Sequence, residues 1–132
     1  MQAASPSAGV VNQGPARALI CFSHLRWDFV FQRPQHLMTR FARAGRVAFW
    51  EEPCFVEGAA PSLAVRPCPD SGVTVVAPQL PHGCDRDAEA GMLKRLLVEF
   101  VAGFTQGGPL IRWYYTPMML PISRDLPAVC VI

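Results

Sequence analysis

With 132 residues, 51% of them hydrophobic and 17% charged, the chain is long enough for one hydrophobic core and too short for two full domains. That composition excludes wholesale disorder. A net charge of +2, from eleven arginines and one lysine against ten acids, gives no nucleic-acid footprint.

Met1 to Ala16 is built from Ala, Ser, Gly, Pro, Gln and Asn with little else, and is expected to be a mobile tail. Its first fifteen residues lack the basic start and apolar stretch of a secretory signal. Residues 17–132 carry the folded domain. Ala18 to Phe22 is a continuous apolar run, the pattern of a strand buried on both faces of a parallel sheet. A loop from Ser23 to Arg33 follows, and Pro34 suits the first position of a helix. Leu37, Met38, Phe41 and Ala44 form that helix's apolar face, and Gly45 is its expected stop.

Val47 to Trp50 is a second buried strand and ends in Glu51, Glu52 and Pro53. The stretch from Cys54 to Asp70 is rich in proline, with room for one short strand over Leu63 to Arg66. Val73 to Ala77 is strand-like, able to pair with it as a hairpin, and runs into a loop at Pro78, Pro81 and Gly83. Asp87 is the expected cap of a second helix, whose apolar stripe is Leu93, Leu96, Leu97, Phe100, Val101 and Phe104. After Gly107, Gly108 and Pro109 come a strand over Leu110 to Tyr115, a short helix over Leu120 to Asp125, and a last strand over Ala128 to Ile132. This alternation predicts an α/β fold, a doubly wound, mainly parallel, Rossmann-like sheet.

No run approaches the roughly 20 apolar residues of a membrane span. Five cysteines with no CxxC pair, of which Cys21 and Cys130 fall in apolar runs that read as buried strands, point to a reducing, cytoplasmic setting. His24, His36 and His82 have no metal-ligand spacing, so no structural metal is expected. The GxGxxG turn of dinucleotide enzymes, the Walker lysine loop, HExxH and a Ser-His-Asp order are all absent from the sequence.

In an open α/β sheet ligands bind beyond the carboxyl ends of the strands, which directs attention to the loops after Phe22, Trp50 and Tyr115. The first holds His24, Arg26, Trp27, Asp28, Gln32, Arg33, Gln35 and His36 around a helix start. Arg33 beside the positive end of a helix makes sense with an anion or carboxylate between them, hence an anion or sugar pocket. The plainer alternative is that Arg26 and Arg33 pair with Asp28, Glu51 or Glu52 and merely shape the loop. Trp27 suits a sugar face or a core plug, and His24 a general base or a hydrogen-bonded structural residue. Glu51 and Glu52, adjacent on an extended strand, should point to opposite faces, one toward the pocket and one away. Met118 and Met119 suit an apolar acceptor groove or core filling, and Tyr114 and Tyr115 carry the same ambiguity.

The string His24-Leu25-Arg26-Trp27-Asp28-Phe29-Val30-Phe31-Gln32-Arg33-Pro34-Gln35-His36-Leu37, followed by Val47 to Pro53, resembles the N-terminal domain of bacterial family 1 glycosyltransferases of the GT-B type. Val73 to Pro81 is similar as well. The resemblance implies two Rossmann-like domains facing across a cleft, the first shaping the acceptor side and the second binding a nucleotide-sugar donor. It implies hexosyl transfer to a glycan acceptor in cell-surface polysaccharide synthesis, no cofactor or obligatory metal, and contact with the inner face of the membrane as an open option. It further implies that the chain stops at Ile132 before the donor-binding domain, so little or no turnover is expected of it by itself. Two other expectations stand beside it: a non-catalytic Rossmann-like module that binds a sugar or nucleotide, and a shortened reading frame whose product folds poorly.

Overall fold

A computed structural model describes residues 17–28 and 33–132, except for the side chain of Arg33. The expected tail, and Gln32 among the candidate site residues, lie outside the described residues. The elements run β1 (Ala18–Phe22), α1 (Arg33–Phe41), β2 (Arg46–Trp50), β3 (Cys54–Phe55), β4 (Ser62–Pro67), β5 (Thr74–Leu80), α2 (Arg86–Phe104), β6 (Leu110–Tyr114), a 3-10 turn (Pro117–Met119), α3 (Leu120–Ser123) and β7 (Cys130–Val131).

Parallel pairing places six strands in the order β3-β5-β2-β1-β6-β7, the doubly wound arrangement with its reversal of direction at β1, and β4 joins the seven-stranded sheet antiparallel to β5. All five residues of β1 are buried because it is flanked on both edges and covered on both faces. Side-chain alternation divides it cleanly. Ala18, Ile20 and Phe22 join Ala48, Trp50 and Val76 in a core under Leu93, Leu96 and Leu97 of α2. Leu19 and Cys21 join Val47, Phe49 and Val75 in a second core with Trp27 and Met38 of α1. The protein is thus an α/β Rossmann-like sheet with helices on opposite faces.

Several expectations need correction. β5 continues through Pro78 to Leu80, with β4 antiparallel along one edge and β2 then β3 along the other. The missing N–H of Pro78 falls where β2 has ended and β3 has not yet begun, so no ladder bond is lost. Cys130 is exposed rather than buried, because β7 forms the sheet edge. The cap of α2 is Asp85, whose carboxylate accepts the Ala88 N–H at 2.8 Å; Asp87 sits in the first turn, where its charge complements the helix dipole. Replacing Asp85 with Ala is expected to cost about 1 kcal/mol of stability, measured by urea unfolding, and Asp87→Ala less than half of that.

Gly45 is needed for a different reason than the one its position suggests. α1 ends at Phe41, and Gly45 does not have the positive φ of a left-handed cap. It lies instead against the chain entering β1: a Cβ here would sit 2.5 Å from the Arg17 carbonyl oxygen, which already accepts the Arg46 N–H at 2.9 Å. Main chain cannot swing away as a side chain can. Gly45→Ala should therefore cost about 1–3 kcal/mol, seen as a lower thermal midpoint, whereas Gly91→Ala, with open space around it inside α2, should stabilise slightly.

The segment after β6 is tied down by polar contacts. Buried Arg112 donates through Nη1 to the Tyr114 hydroxyl and to the Ser123 carbonyl, each at 3.0 Å. Ser123 Oγ donates to the Met119 carbonyl at 2.6 Å and accepts from Tyr114 at 2.5 Å. This network fixes the 3-10 turn and α3 against the sheet and so places Met118, Met119 and Ile122 beside the strand ends.

Candidate functional site

The carboxyl ends of β1, β2 and β6 converge, as the topology requires, and the loops leaving them enclose a cleft of about 220 Å³. Ser23, His24, Glu51, Glu52 and Thr116 supply its polar side, and Leu93, Met119 and Ile122 lie on its apolar side with Pro53, Phe55 and Met118. Glu89, from the first turns of α2, reaches the same opening. Ser23, Thr116 and Glu89 carry no local signal in the sequence, since each becomes a site residue only when strands and a helix far apart in the chain meet.

The two glutamates do not diverge as strand alternation predicts. Glu51 is buried and Glu52 exposed, yet both turn to one guanidinium: Arg26 lies 3.6 Å from Glu51 Oε1 and 3.7 Å from Glu52 Oε1. β2 has ended at Trp50, so the backbone there is free of the two-residue alternation. Arg26 also donates from Nη1 to the Glu52 carbonyl at 3.1 Å and from Nη2 to the Pro53 carbonyl at 3.5 Å. Its charge is committed to the protein.

Glu51 has a second task. Its Oε2 accepts the Trp27 main-chain N–H at 2.6 Å, a charge-assisted bond in a buried setting. Trp27 is 4% exposed and packs edge-on against Phe49 with ring centres 5.0 Å apart, so its indole fills the α1-side core and does not line the cleft. Gln35, fully buried, donates from Nε2 to the Trp27 carbonyl at 3.2 Å. Asp28 forms an exposed ion pair with Arg66 of β4. His36 is exposed on α1, away from the cleft lining, and Arg33 opens α1 with its side chain outside the description. The structure therefore brings His24, Glu51 and Glu52 together at the cleft; Arg26, Trp27 and Gln35 hold the loop after β1 against the end of β2, and Asp28 turns away to Arg66 of β4.

The hydroxyls are used asymmetrically. Ser23 Oγ accepts the Leu25 N–H at 3.0 Å and Thr116 Oγ1 accepts the Met118 N–H at 3.3 Å, so each keeps its own O–H as a donor. Together with the carboxylates this gives a mixed lining of donors and acceptors. No group of three or more His, Cys, Asp or Glu side chains that could hold a metal ion occurs among the described residues. No helix among them is long and apolar enough to cross a membrane.

The cysteines lie apart from the cleft lining and differ sharply from one another. Burial pushes the Cys21 thiol far up from its ordinary value. The Ser71 hydroxyl holds the Cys68 thiol down, against some desolvation, with smaller help from the Ser71 backbone, the Trp27 side chain and the Asp70 backbone. Cys68 should be alkylated by iodoacetamide at lower pH than Cys21, and Ser71→Ala should shift the Cys68 rate profile to higher pH. Peptide mass spectrometry across a pH series reads both.

In comparisons with known proteins, the chain matches no family model, no curated protein and no solved structure.

Proposed function

We propose that this chain is the acceptor-side, Rossmann-like domain of a GT-B glycosyltransferase, working opposite a domain that binds a nucleotide sugar. The observation that carries this reading is the lining of the cleft and the pairing of the arginine beside it. Arg26, which flanks the cleft through Glu51 and Glu52, is spent on these two carboxylates and two carbonyls, whereas Ser23, Thr116, Glu52 and His24 present hydroxyl-compatible donors and acceptors. Such a lining suits a neutral hydroxyl-bearing acceptor and is poorly matched to a diphosphate, which asks for basic groups or a helix N-terminus. The loop string from His24 to Leu37 adds its resemblance to the same side.

In this mechanism His24, exposed at the rim, takes the proton of the attacking acceptor hydroxyl. The acceptor oxygen bonds to the anomeric carbon as the bond from that carbon to the diphosphate oxygen breaks, and the nucleoside diphosphate leaves toward the donor domain. Glu52 accepts a hydrogen bond from a neighbouring acceptor hydroxyl and orients it. Glu51 acts indirectly, by holding Arg26 and the Trp27 main chain.

Calorimetric titration of the chain with alkyl glycosides and with nucleoside diphosphates tests the reading. Glycosides are expected to bind, with Glu52→Ala weakening them about tenfold, and diphosphates to show no heat. Tight diphosphate binding with no glycoside binding would overturn the acceptor-side assignment in favour of a nucleotide-binding module.

A further inference from the structure

We infer that the groove between α1 and the open face of β6 and β7 is a docking site for an amphipathic helix with acidic flanks. The groove lies outside the cleft lining, and its occupancy is independent of the acceptor-side reading.

A parallel sheet is ordinarily covered on both faces. In this sheet α2 and α3 lie on one face, and α1 is the helix that the described residues provide on the other. Met38 of α1 packs over β1 and β2. Beyond it, Ile111, Trp113 and Tyr115 of β6 stay only half-buried. Cys130 stands opposite Ile111, and Ile132 is held across from Trp113 by bonds to the Arg112 carbonyl and the Tyr114 N–H; both are exposed. Phe41, 39% exposed, closes the near side, its ring centre 5.5 Å from that of Trp113. At the amino ends of the strands the groove deepens into a hollow of about 130 Å³, where Phe41, Ala44 and Ile111 meet Arg17.

Shape selects the occupant. A helix with its side chains is about 10 Å across, so α1 stands that far above the sheet. A flat membrane surface resting on α1 would not reach Trp113 or Ile132, whereas a second helix laid beside α1 fills the step. Charge selects its flanks. Arg17 and Arg40 are exposed at the rim, Arg40 next to Phe41 and four residues before Ala44, and neither pairs with a carboxylate among the described residues. No acid lines the hollow. An apolar stripe bordered by glutamates or aspartates therefore complements the groove.

The test titrates the whole chain into two fluorescein-labelled peptides, each about five helical turns long, and follows anisotropy. Leucine recurs at helical spacing in both; the remaining positions are glutamate in one and lysine in the other. The glutamate peptide is expected to bind saturably and at least about tenfold more tightly than the lysine peptide. Reversing both rim charges, Arg17→Glu with Arg40→Glu, should invert that preference, with the thermal midpoint kept because both side chains are exposed. Ile132→Glu, at an exposed edge position, places a carboxylate on the apolar floor and should weaken the glutamate peptide about tenfold. Saturable binding of neither peptide, equal affinity for both, or a preference unchanged in the charge-reversed chain overturns the proposal. Binding to phosphatidylglycerol vesicles without peptide binding makes the occupant a membrane, self-association abolished by Ile132→Glu makes it a second copy, and displacement of the glutamate peptide by a synthetic peptide of residues 1–16 makes it a segment of this chain; each of these overturns it as well. Glycoside binding at the cleft should be unchanged by these substitutions, so failure here and failure of the proposed function are told apart.

Discussion

Trp50→Ala is expected to bring the domain to the edge of unfolding. Trp50 ends β2, is fully buried, and stands edge-on to Phe22 and Phe100, with ring centres 6.3 and 6.0 Å away, so that it joins β1 to α2 across one core. Truncation removes its buried area and leaves a cavity that two parallel strands cannot close, a loss of about 3–5 kcal/mol. A domain of this size has about 5–15 kcal/mol in total. Its indole N–H has no hydrogen-bond partner, so Trp50→Phe gives up area without orphaning any polar partner and should cost about half as much or less. Urea unfolding of the three proteins checks the order. A midpoint for Trp50→Ala within error of the parent would mean that β2 is not held as described.

Glu51→Ala should lose about 2–3 kcal/mol, more than any substitution at the other polar cleft residues. Its carboxylate satisfies the buried Trp27 N–H and faces Arg26, which is 35% exposed, so the ion pair itself adds little after solvent screening. What is lost is mainly the buried hydrogen bond, and the N–H left behind has no substitute. Glu51→Gln keeps an acceptor in place and should cost about 1 kcal/mol. Glu52→Ala, at an exposed partner of the same arginine, should barely move stability while weakening glycoside binding. The contrast separates a residue that holds the loop from one that touches ligand. If Glu51→Ala unfolds at the parental urea concentration, the loop is held by something other than this carboxylate.

The same loop shows where local reasoning reaches its limit. Arg26 beside acidic partners was among the alternatives legible in the sequence, because opposite charges on converging loops tend to meet. That both glutamates would share it was not, since the prediction assumed a strand continuing past Trp50. The apolar runs of β1 and β2 and the stripe of α2 were readable because burial on both sheet faces, or on one helix face, imposes its own period on adjacent residues. Gly45 is expected as the stop of the first helix, yet its constraint comes from Arg17, which reaches it across strand entries rather than along the helix.

What the amino-acid sequence by itself determined is the alternation of strands and helices, and hence the α/β class, together with the loop that carries the unusual polar residues. Those features are written in patterns a few residues long, and a few residues are enough to decide which side is buried. The tertiary structure alone decided the parallel order β3-β5-β2-β1-β6-β7, the commitment of Arg26, and the joining of Ser23, Glu52, Glu89 and Thr116 around one cleft. These residues lie on segments separated by dozens of positions, and only the free energy of packing two helices onto one sheet brings them within reach of one another.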